Sequence, residues 1–86
     1  MAKKIQLKIV TPDKVVFEEE SEFIVLPGHS GELGILPGHA KLFSILRPGD
    51  IRVVNADQTI KLRISAGVAY IEPQQIRVLC PVARLV

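Results

Sequence analysis

The amino-acid sequence predicts an all-β protein, a flattened two-sheet antiparallel β-sandwich of short strands. Apolar residues recur at every second position and never in a sustained spacing of three and four, which indicates strands and not amphipathic helices. The clearest case places Ile60, Leu62 and Ile64 on one side of a strand, with lysine and arginine between them. Turn-forming residues interrupt the apolar segments at regular intervals, which is typical of sandwiches and barrels.

The first part of the chain is expected to form strands at 5–9, 15–17 and 23–26. In the first of them Ile5, Leu7 and Ile9 share one face. Pro12 marks the turn that follows, because proline cannot continue a central strand. The second strand is expected to fade into three adjacent acids at 18–20, whose mutual repulsion favours an exposed edge or a turn.

The stretch 26–40, LPGHSGELGILPGHA, contains four of the six glycines and both histidines. Proline fixes φ at about −65° and glycine permits positive φ, so the Pro-Gly pairs at 27–28 and 37–38 each predict a tight turn. Only one very short strand fits between them. The stretch is therefore expected to form a compact corner with a polar tip, mounted on a rigid sheet as recognition loops commonly are.

The remaining strands are expected at 41–46, 51–54, 59–64, 68–71 and 75–79. Turns around Pro48, 55–58 and Pro73 separate them. With 86 residues and a hydrophobic content of 48%, the segment 1–86 is predicted to be a single domain with a thin core.

Composition excludes several functional classes. The net charge of +2 is small, the basic residues are dispersed and aromatic residues amount to 5%, all of which argues against a nucleic-acid-binding protein. No apolar run approaches the roughly 18–20 residues that span a bilayer. The start of the chain alternates where a signal peptide would be continuously apolar, so we expect the protein to remain in the cytosol or an equivalent compartment. Cys80 has no partner for an internal disulfide and is predicted to be buried and unreactive.

The residue types of the 26–40 stretch raise two kinds of reactive site, a metal centre and a phosphate-binding loop. His29, Glu32 and His39 could supply three ligands of a catalytic metal. However, metal ligands usually come in close pairs, and turn histidines more often bond the local backbone. The glycines resemble a phosphate-binding loop only superficially, because neither a helix nor a nearby lysine follows. We therefore predict no catalytic residue, no metal and no cofactor, and keep a small metal-dependent enzyme as an alternative.

One motif carries a family resemblance. The sequence GELGILPGHA, followed by an apolar strand and RPG, resembles the amino-terminal domain of the epsilon subunit of F-type ATP synthases. Shorter matches, IVTP, VLPG, SAG and VL, occur in the family's order from about Ile5 to Leu79. The resemblance implies a two-sheet sandwich that belongs to the rotor, is not catalytic and helps to couple ion translocation to ATP synthesis. A free-standing β-sandwich adaptor or ligand-binding module with the same corner is the alternative.

The resemblance also implies partners, namely the gamma subunit of the central stalk and the polar loops of the c-ring. It places the protein peripherally on the cytoplasmic face of the plasma membrane, or on the stromal face of the thylakoid. Glu32 is expected at the tip of the part that faces the ring, and an adjacent sheet face is expected near gamma. The ring-facing residues are Ser30, Gly31, Glu32, Leu33 and Gly34, and the gamma-facing residues are Gly38, His39 and Ala40.

Three departures from the family pattern bear on function. Lys41 stands where proline is common, and Ala66 where a second glycine is common; both substitutions are expected to be tolerated. Family members usually continue into a carboxy-terminal helical hairpin that inhibits hydrolysis and in some bacteria binds ATP. The sequence ends at Val86 without such a hairpin, so we expect neither ATP binding nor inhibition from these residues.

Overall fold

A computed structural model describes residues 3–86, which form ten strands and no helix. The strands are β1 (Ile5–Val10), β2 (Val15–Ser21), β3 (Phe23–Gly28), β4 (Gly31–Ile35), β5 (Leu42–Leu46), β6 (Gly49–Val54), β7 (Thr59–Ile64), β8 (Gly67–Glu72), β9 (Gln75–Leu79) and β10 (Ala83–Leu85). A helix long and apolar enough to cross a membrane does not occur in this part of the chain.

The strands form one hydrogen-bonded path that folds over into two layers. The first sheet has the order β10-β7-β6-β3-β4, and the second has the order β5-β8-β9-β1-β2. The two sheets are joined where Gly28 of β3 pairs with Leu46 of β5. At this corner the His29 N–H donates to the Ile45 carbonyl at 2.8 Å, and the Arg47 N–H donates to the Pro27 carbonyl at 2.8 Å. The predicted all-β sandwich is thus confirmed.

One strand pairing differs from the expected antiparallel pattern. β1 and β9 run parallel, with Gln6 opposite Gln75 and Val10 opposite Leu79. Antiparallel neighbours are imposed by short hairpins, and β1 and β9 have no such link because most of the chain lies between them. Parallel pairing is therefore available to these two strands, and the remaining pairings between strands are antiparallel.

The core lies between the two sheets and is built from alternate residues of nearly every strand. Leu62 and Ile64 are buried and Ile60 is half-buried against them, which confirms the predicted faces of β7. Cys80 is also buried, and this burial raises the pKa of its thiol. The largest fully buried side chains come from both sheets: Ile5, Leu7, Ile9, Ile24, Leu26, Ile35, Leu46, Ile51, Leu62, Ile71, Ile76 and Val53.

The predicted turn at Pro27 and Gly28 is wrong. β3 continues through both residues, and the chain reverses one step later at His29 and Ser30. Proline is accommodated because this is the place where β3 stops pairing with β6 and starts pairing with β5, so its missing N–H interrupts no regular ladder. Its carbonyl still accepts a hydrogen bond from Arg47.

Two further differences concern the edges of the sheets. β2 does not fade at its three acids but continues to Ser21, which is buried opposite Ile5. The acids themselves stay exposed on the edge strand, as expected, so they lose little hydration. β10, which pairs with β7, was not predicted, because three residues after Pro81 show no alternation from which a strand could be inferred.

Candidate docking surfaces

The five residues expected to face a c-ring lie on the β3–β4 hairpin but not on one surface. Ser30 is in the two-residue turn, and Gly31 begins β4 opposite Gly28. Strand alternation then directs Leu33 towards the sandwich interior, where it packs against the core, while Glu32 and Gly34 lie on the outer face. Glu32 is therefore on the side of the hairpin, and the tip is formed by the turn.

Glu32 is held by an ion pair that the sequence did not predict. Its Oε1 lies 3.3 Å from Nη2 of Arg52, which reaches across β3 from β6. Both side chains remain substantially exposed to solvent. An exposed ion pair contributes only about 0–1 kcal/mol to stability, so its main effect is to fix the position of the carboxylate.

The ion pair covers an apolar patch on the outside of the first sheet. Val25 faces outwards between two inward-facing neighbours and lies outside the main core, yet it is only 5% exposed. Arg52 stands directly opposite Val25, so the aliphatic stem of the arginine shields it. The Arg52 Nε is buried there without a hydrogen-bond partner. Arg52 therefore covers Val25 while part of its own side chain stays exposed.

Gly34 is needed for space and not for an unusual backbone conformation. A Cβ at this position would lie 2.9 Å from Cζ of Phe23, whose ring rests on the glycine. The backbone of Gly34 does not have positive φ. The Phe23 ring can therefore lie flat on the outer surface of β4 only because residue 34 has no side chain.

The three residues expected to face gamma form the second turn of the stretch, and here the Pro-Gly prediction is confirmed. Pro37 and Gly38 occupy the turn, Gly38 has φ of 87°, and the His39 N–H donates to the Leu36 carbonyl at 3.2 Å. These features fit a type II turn, which requires positive φ at its third residue. The Gly38 N–H also donates to the Pro73 carbonyl at 2.7 Å, which fastens the turn to the β8–β9 hairpin.

The histidines behave as turn residues. His39 Nδ1 lies 2.7 Å from the carbonyl oxygen of Ala40, which can only accept, so Nδ1 carries the proton and donates. His29 is exposed in the hairpin turn. Within residues 3–86 no three His, Cys, Asp or Glu side chains are grouped closely enough to hold a metal ion. The alternative of a metal site formed by His29, Glu32 and His39 therefore has no geometric support in this structure.

A surface that the sequence reasoning missed is the outer face of the second sheet, which we call the apolar face. Phe43 is 52% exposed and Ile45 57% exposed, side by side on β5. Tyr70 and Leu79 on the neighbouring strands are each more than two-fifths exposed. Contiguous apolar patches of this kind are uncommon on isolated soluble domains and usually mark interaction sites. The apolar face consists of Phe43, Ile45, Val68, Tyr70 and Leu79.

Two contacts of the Tyr70 ring, one with Phe43 and one with Arg77, fix the aromatic part of the apolar face. Phe43 and Tyr70 are directly opposite each other, with ring centroids 5.1 Å apart and planes tilted by 58°. The Arg77 guanidinium carbon lies 5.6 Å from the centre of the Tyr70 ring, within the range of a cation–π contact. Lys8, opposite Arg77 in the register, lies 4.0 Å from a carboxylate oxygen of Glu18. The face therefore changes from aromatic to charged towards β1 and β2.

The outer face of the other sheet, which we call the charged face, has the opposite character. Arg63 donates to Asp50 through Nε at 2.9 Å and through Nη2 at 3.3 Å. The hydrogen bond from Arg63 lowers the pKa of the Asp50 carboxyl, and Lys61 and Arg84 add smaller effects in the same direction. The charged face consists of Asp50, Arg52, Lys61, Arg63 and Arg84.

A sequence signal for the apolar face was present. A strand with one solvated face alternates apolar and polar residues, as β7 does, whereas β5 reads LFSIL with apolar residues on both faces. Such a strand is expected to be covered on both sides. Among the residues described, nothing covers the outer side of β5, so the pattern indicates a partner.

Comparison with known proteins places the chain in a family. Residues 4–86 match the family model described as "ATP synthase, Delta/Epsilon chain, beta-sandwich domain". The chain is 47% identical over 83 residues to the ATP synthase epsilon chain of Desulforamulus reducens, covering 96% of this chain and 63% of that protein. It is 39% identical over 80 residues to the epsilon chain of Bordetella avium, covering 92% and 57% respectively. The chain thus spans about three-fifths of the length of these relatives.

Solved structures share the fold at lower sequence identity. A chain of the Euglena gracilis mitochondrial ATP synthase superposes with a TM-score of 0.87 and 24% identity, over 95% of this chain and 53% of that one. A chain of the Tetrahymena thermophila mitochondrial ATP synthase central stalk and c-ring superposes with a TM-score of 0.72 and 14% identity, over 96% and 68% respectively. At these identities the superpositions establish the fold alone. The family model and the relatives together show that the chain belongs to the delta/epsilon-chain family of ATP synthases and corresponds to the β-sandwich domain of that family.

Proposed function

We propose that this domain is a non-catalytic rotor component of an F-type ATP synthase, which docks on the gamma subunit and on the c-ring. In this role it couples ion translocation to ATP synthesis by mechanical connection. The observation that carries the proposal is the apolar face, whose large side chains remain in water in the isolated chain. Family membership supports the choice of complex, and the resemblance carried by the 26–40 stretch implies gamma and the c-ring as the two neighbours.

Gamma is assigned to the apolar face and to the adjoining turn at Gly38, His39 and Ala40. β5 leads directly from this turn into the apolar face, so one partner can contact both. Burying exposed apolar area contributes about 25 cal/mol per Å², and buried aromatic and arginine side chains are the usual centres of such interfaces. Phe43, Tyr70 and the adjacent Arg77 supply that combination.

The c-ring is assigned to the β3–β4 hairpin, at Ser30, Gly31, Glu32, Leu33 and Gly34. Within residues 3–86 the only side-chain partner of Glu32 is Arg52, which bonds Oε1 and leaves Oε2 for a donor on the ring. Leu33 supports this surface from the interior of the sandwich, because it packs against the core and so holds β4 in place. A charge-assisted hydrogen bond to Glu32 is worth about 1.5–3 kcal/mol, or roughly tenfold to a hundredfold in affinity.

Rigidity is what this role requires of the domain. The hairpin and the gamma-facing turn are tied to the second sheet by the backbone bonds of His29 and Gly38, at 2.8 and 2.7 Å. A load applied to one partner is therefore passed to the other through short backbone connections. Membrane association occurs only through the complex, on the cytoplasmic face of the plasma membrane or the stromal face of the thylakoid, and no ATP or nucleic acid is bound by this domain.

The assignment is tested by binding assays with purified gamma and with detergent-solubilised c-ring. Glu32→Gln is expected to weaken binding to the c-ring by about tenfold or more while binding to gamma is unchanged. Asp50→Asn is the matched control, since it neutralises another carboxylate that is paired with an arginine. Equal binding of the c-ring by the Glu32 and Asp50 variants would exclude the hairpin contact. Failure of the unsubstituted domain to bind either partner would exclude the whole proposal.

A further inference from the structure

The strand path has three edge strands, each protected against pairing with another chain, and β5 forms a partial fourth edge because only its carboxyl end pairs with β3. β2 carries three consecutive glutamates, β4 carries Glu32 between two glycines, and β10 is only three residues long with Arg84 in its centre. Charges, glycines and short length are the usual means by which proteins blunt exposed sheet edges. β5 contains none of these, since its sequence LFSIL has neither charge nor glycine.

The backbone of β5 is left unpaired along part of its free side. The Ile45 carbonyl accepts from His29 and the Arg47 N–H donates to Pro27, so these two residues direct their polar groups away from β8. Backbone groups alternate from one side of a strand to the other, so Phe43 directs its N–H and C=O to the same side as Ile45. β3 has ended by that point, because its contact with β5 is limited to the pair Gly28 and Leu46. Within residues 3–86 the Phe43 N–H and C=O therefore have no backbone partner on this side.

The core is also incomplete beside this edge. Leu42, Ser44 and Leu46 all face the interior side of β5, yet Leu42 is 40% exposed whereas Leu46 is 1% exposed. Leu42 lines an open groove between β5 and the β3–β4 hairpin, together with Leu33 and Ser44. An apolar side chain on an inward-facing position is normally buried. One additional strand in the groove would complete the layer.

We propose that an extended segment of the gamma subunit adds to the second sheet as a strand along the free edge of β5. Its backbone pairs with the N–H and C=O of Phe43, and one of its apolar side chains covers Leu42 on the β5 side of the groove. Edge addition of this kind obtains affinity from main-chain hydrogen bonds and specificity from alternate side chains. The inference rests on the proposed docking to gamma and specifies how that docking occurs.

Hydrogen–deuterium exchange on the unsubstituted domain, alone and with purified gamma, gives the first test. The Phe43 amide is expected to exchange rapidly in the free domain and at least about a hundredfold more slowly in the complex. The Ser44 amide is the internal control, because it faces β8 and should be protected in both states. Binding of gamma without slower exchange at Phe43 overturns the strand addition and leaves the docking itself intact. Absence of binding overturns the proposed function.

A pair of variants separates strand pairing from simple coverage of the face. Phe43→Ala and Phe43→Pro both lose the aromatic ring, but only proline also loses the N–H that the added strand would use. Proline is compatible with an edge position that has no hydrogen bond to donate. We expect Phe43→Pro to bind gamma about tenfold more weakly than Phe43→Ala, the equivalent of one hydrogen bond of about 1.4 kcal/mol. Equal affinities, with circular dichroism spectra matching that of the parent, overturn the strand addition.

Discussion

The apolar face and the charged face are outer surfaces of the same sandwich, but their side chains differ in how far they are satisfied within the domain. On the charged face Asp50 and Arg63 satisfy each other across neighbouring strands, and the sheet is complete without a partner. On the apolar face Phe43 and Ile45 remain more than half exposed, although Phe43 contacts Tyr70 on the neighbouring strand. The outer side of the first sheet is therefore covered by its own ion pairs, whereas we expect the outer side of the second sheet to be covered by a partner.

The largest expected effect is a loss of folding stability, and it should distinguish the buried side of β7 from the side that belongs to the charged face. Leu62→Ala should destabilise the domain by about 2–5 kcal/mol, because it leaves a cavity at a position only 1% exposed. Lys61→Ala, one residue away on the charged face, should change stability by no more than about 0.5 kcal/mol. Urea denaturation measures both. Equal losses would show that the charged face supports the fold.

The next effect should appear on the apolar face, and only in binding. Phe43→Ala should weaken association with gamma by about 2 kcal/mol, or roughly thirtyfold, because a well-packed aromatic residue is a typical interface anchor. The melting temperature should change little, since the ring is 52% exposed in the isolated domain. Lys61→Ala is the control on the opposite face, with unchanged affinity. Calorimetric titration with gamma gives the affinities; a large fall in melting temperature would instead place Phe43 among the residues that hold the fold.

A smaller effect concerns the turn that borders the apolar face. Gly38→Ala should cost about 1–2 kcal/mol, because φ of 87° is strained for any residue with a Cβ. Gly34→Ala should cost less, since the only atoms in the way belong to the half-exposed Phe23 ring, which can shift. Thermal unfolding of the two variants tests the order. The reverse order would mean that space on β4 matters more than the turn conformation.

The smallest effect should be a pH dependence on the charged face. Arg63 depresses the pKa of Asp50 below its ordinary value of 3.8, so the folded form binds the proton less readily than the unfolded form. The stabilisation is therefore present above pH 3.8 and is lost as pH falls through the folded-state pKa. The difference in melting temperature between the parent and Asp50→Asn should shrink as the pH falls from 3.8 through the folded-state pKa of Asp50. A constant difference would mean that the ion pair contributes nothing.

The sequence could predict the elements whose determinants are local. β7 and β9 have the predicted bounds because alternation and flanking turns fix them, and the Pro37-Gly38 turn follows from two residues that prefer one geometry. Pro27 and Gly28 look the same in sequence but remain in a strand, because distant strands pair beside them. The Glu32–Arg52 pair depends on register between β4, β3 and β6, which alternation alone does not determine, whereas the apolar residues on both faces of β5 were a local signal of the apolar face.

The parallel pairing of β1 with β9 has a consequence for how the molecule forms. β1 cannot take its second neighbour, β9, until Gln75–Leu79 has been synthesised, so of its two neighbours only β2 is available before then. Ile5, Leu7 and Ile9, which are fully buried in the folded domain, must remain uncovered or loosely associated while the strands between β2 and β9 are synthesised. Such non-local closure usually makes folding take on the order of milliseconds to seconds. A nascent chain stalled before β9 should therefore depend on chaperones for solubility.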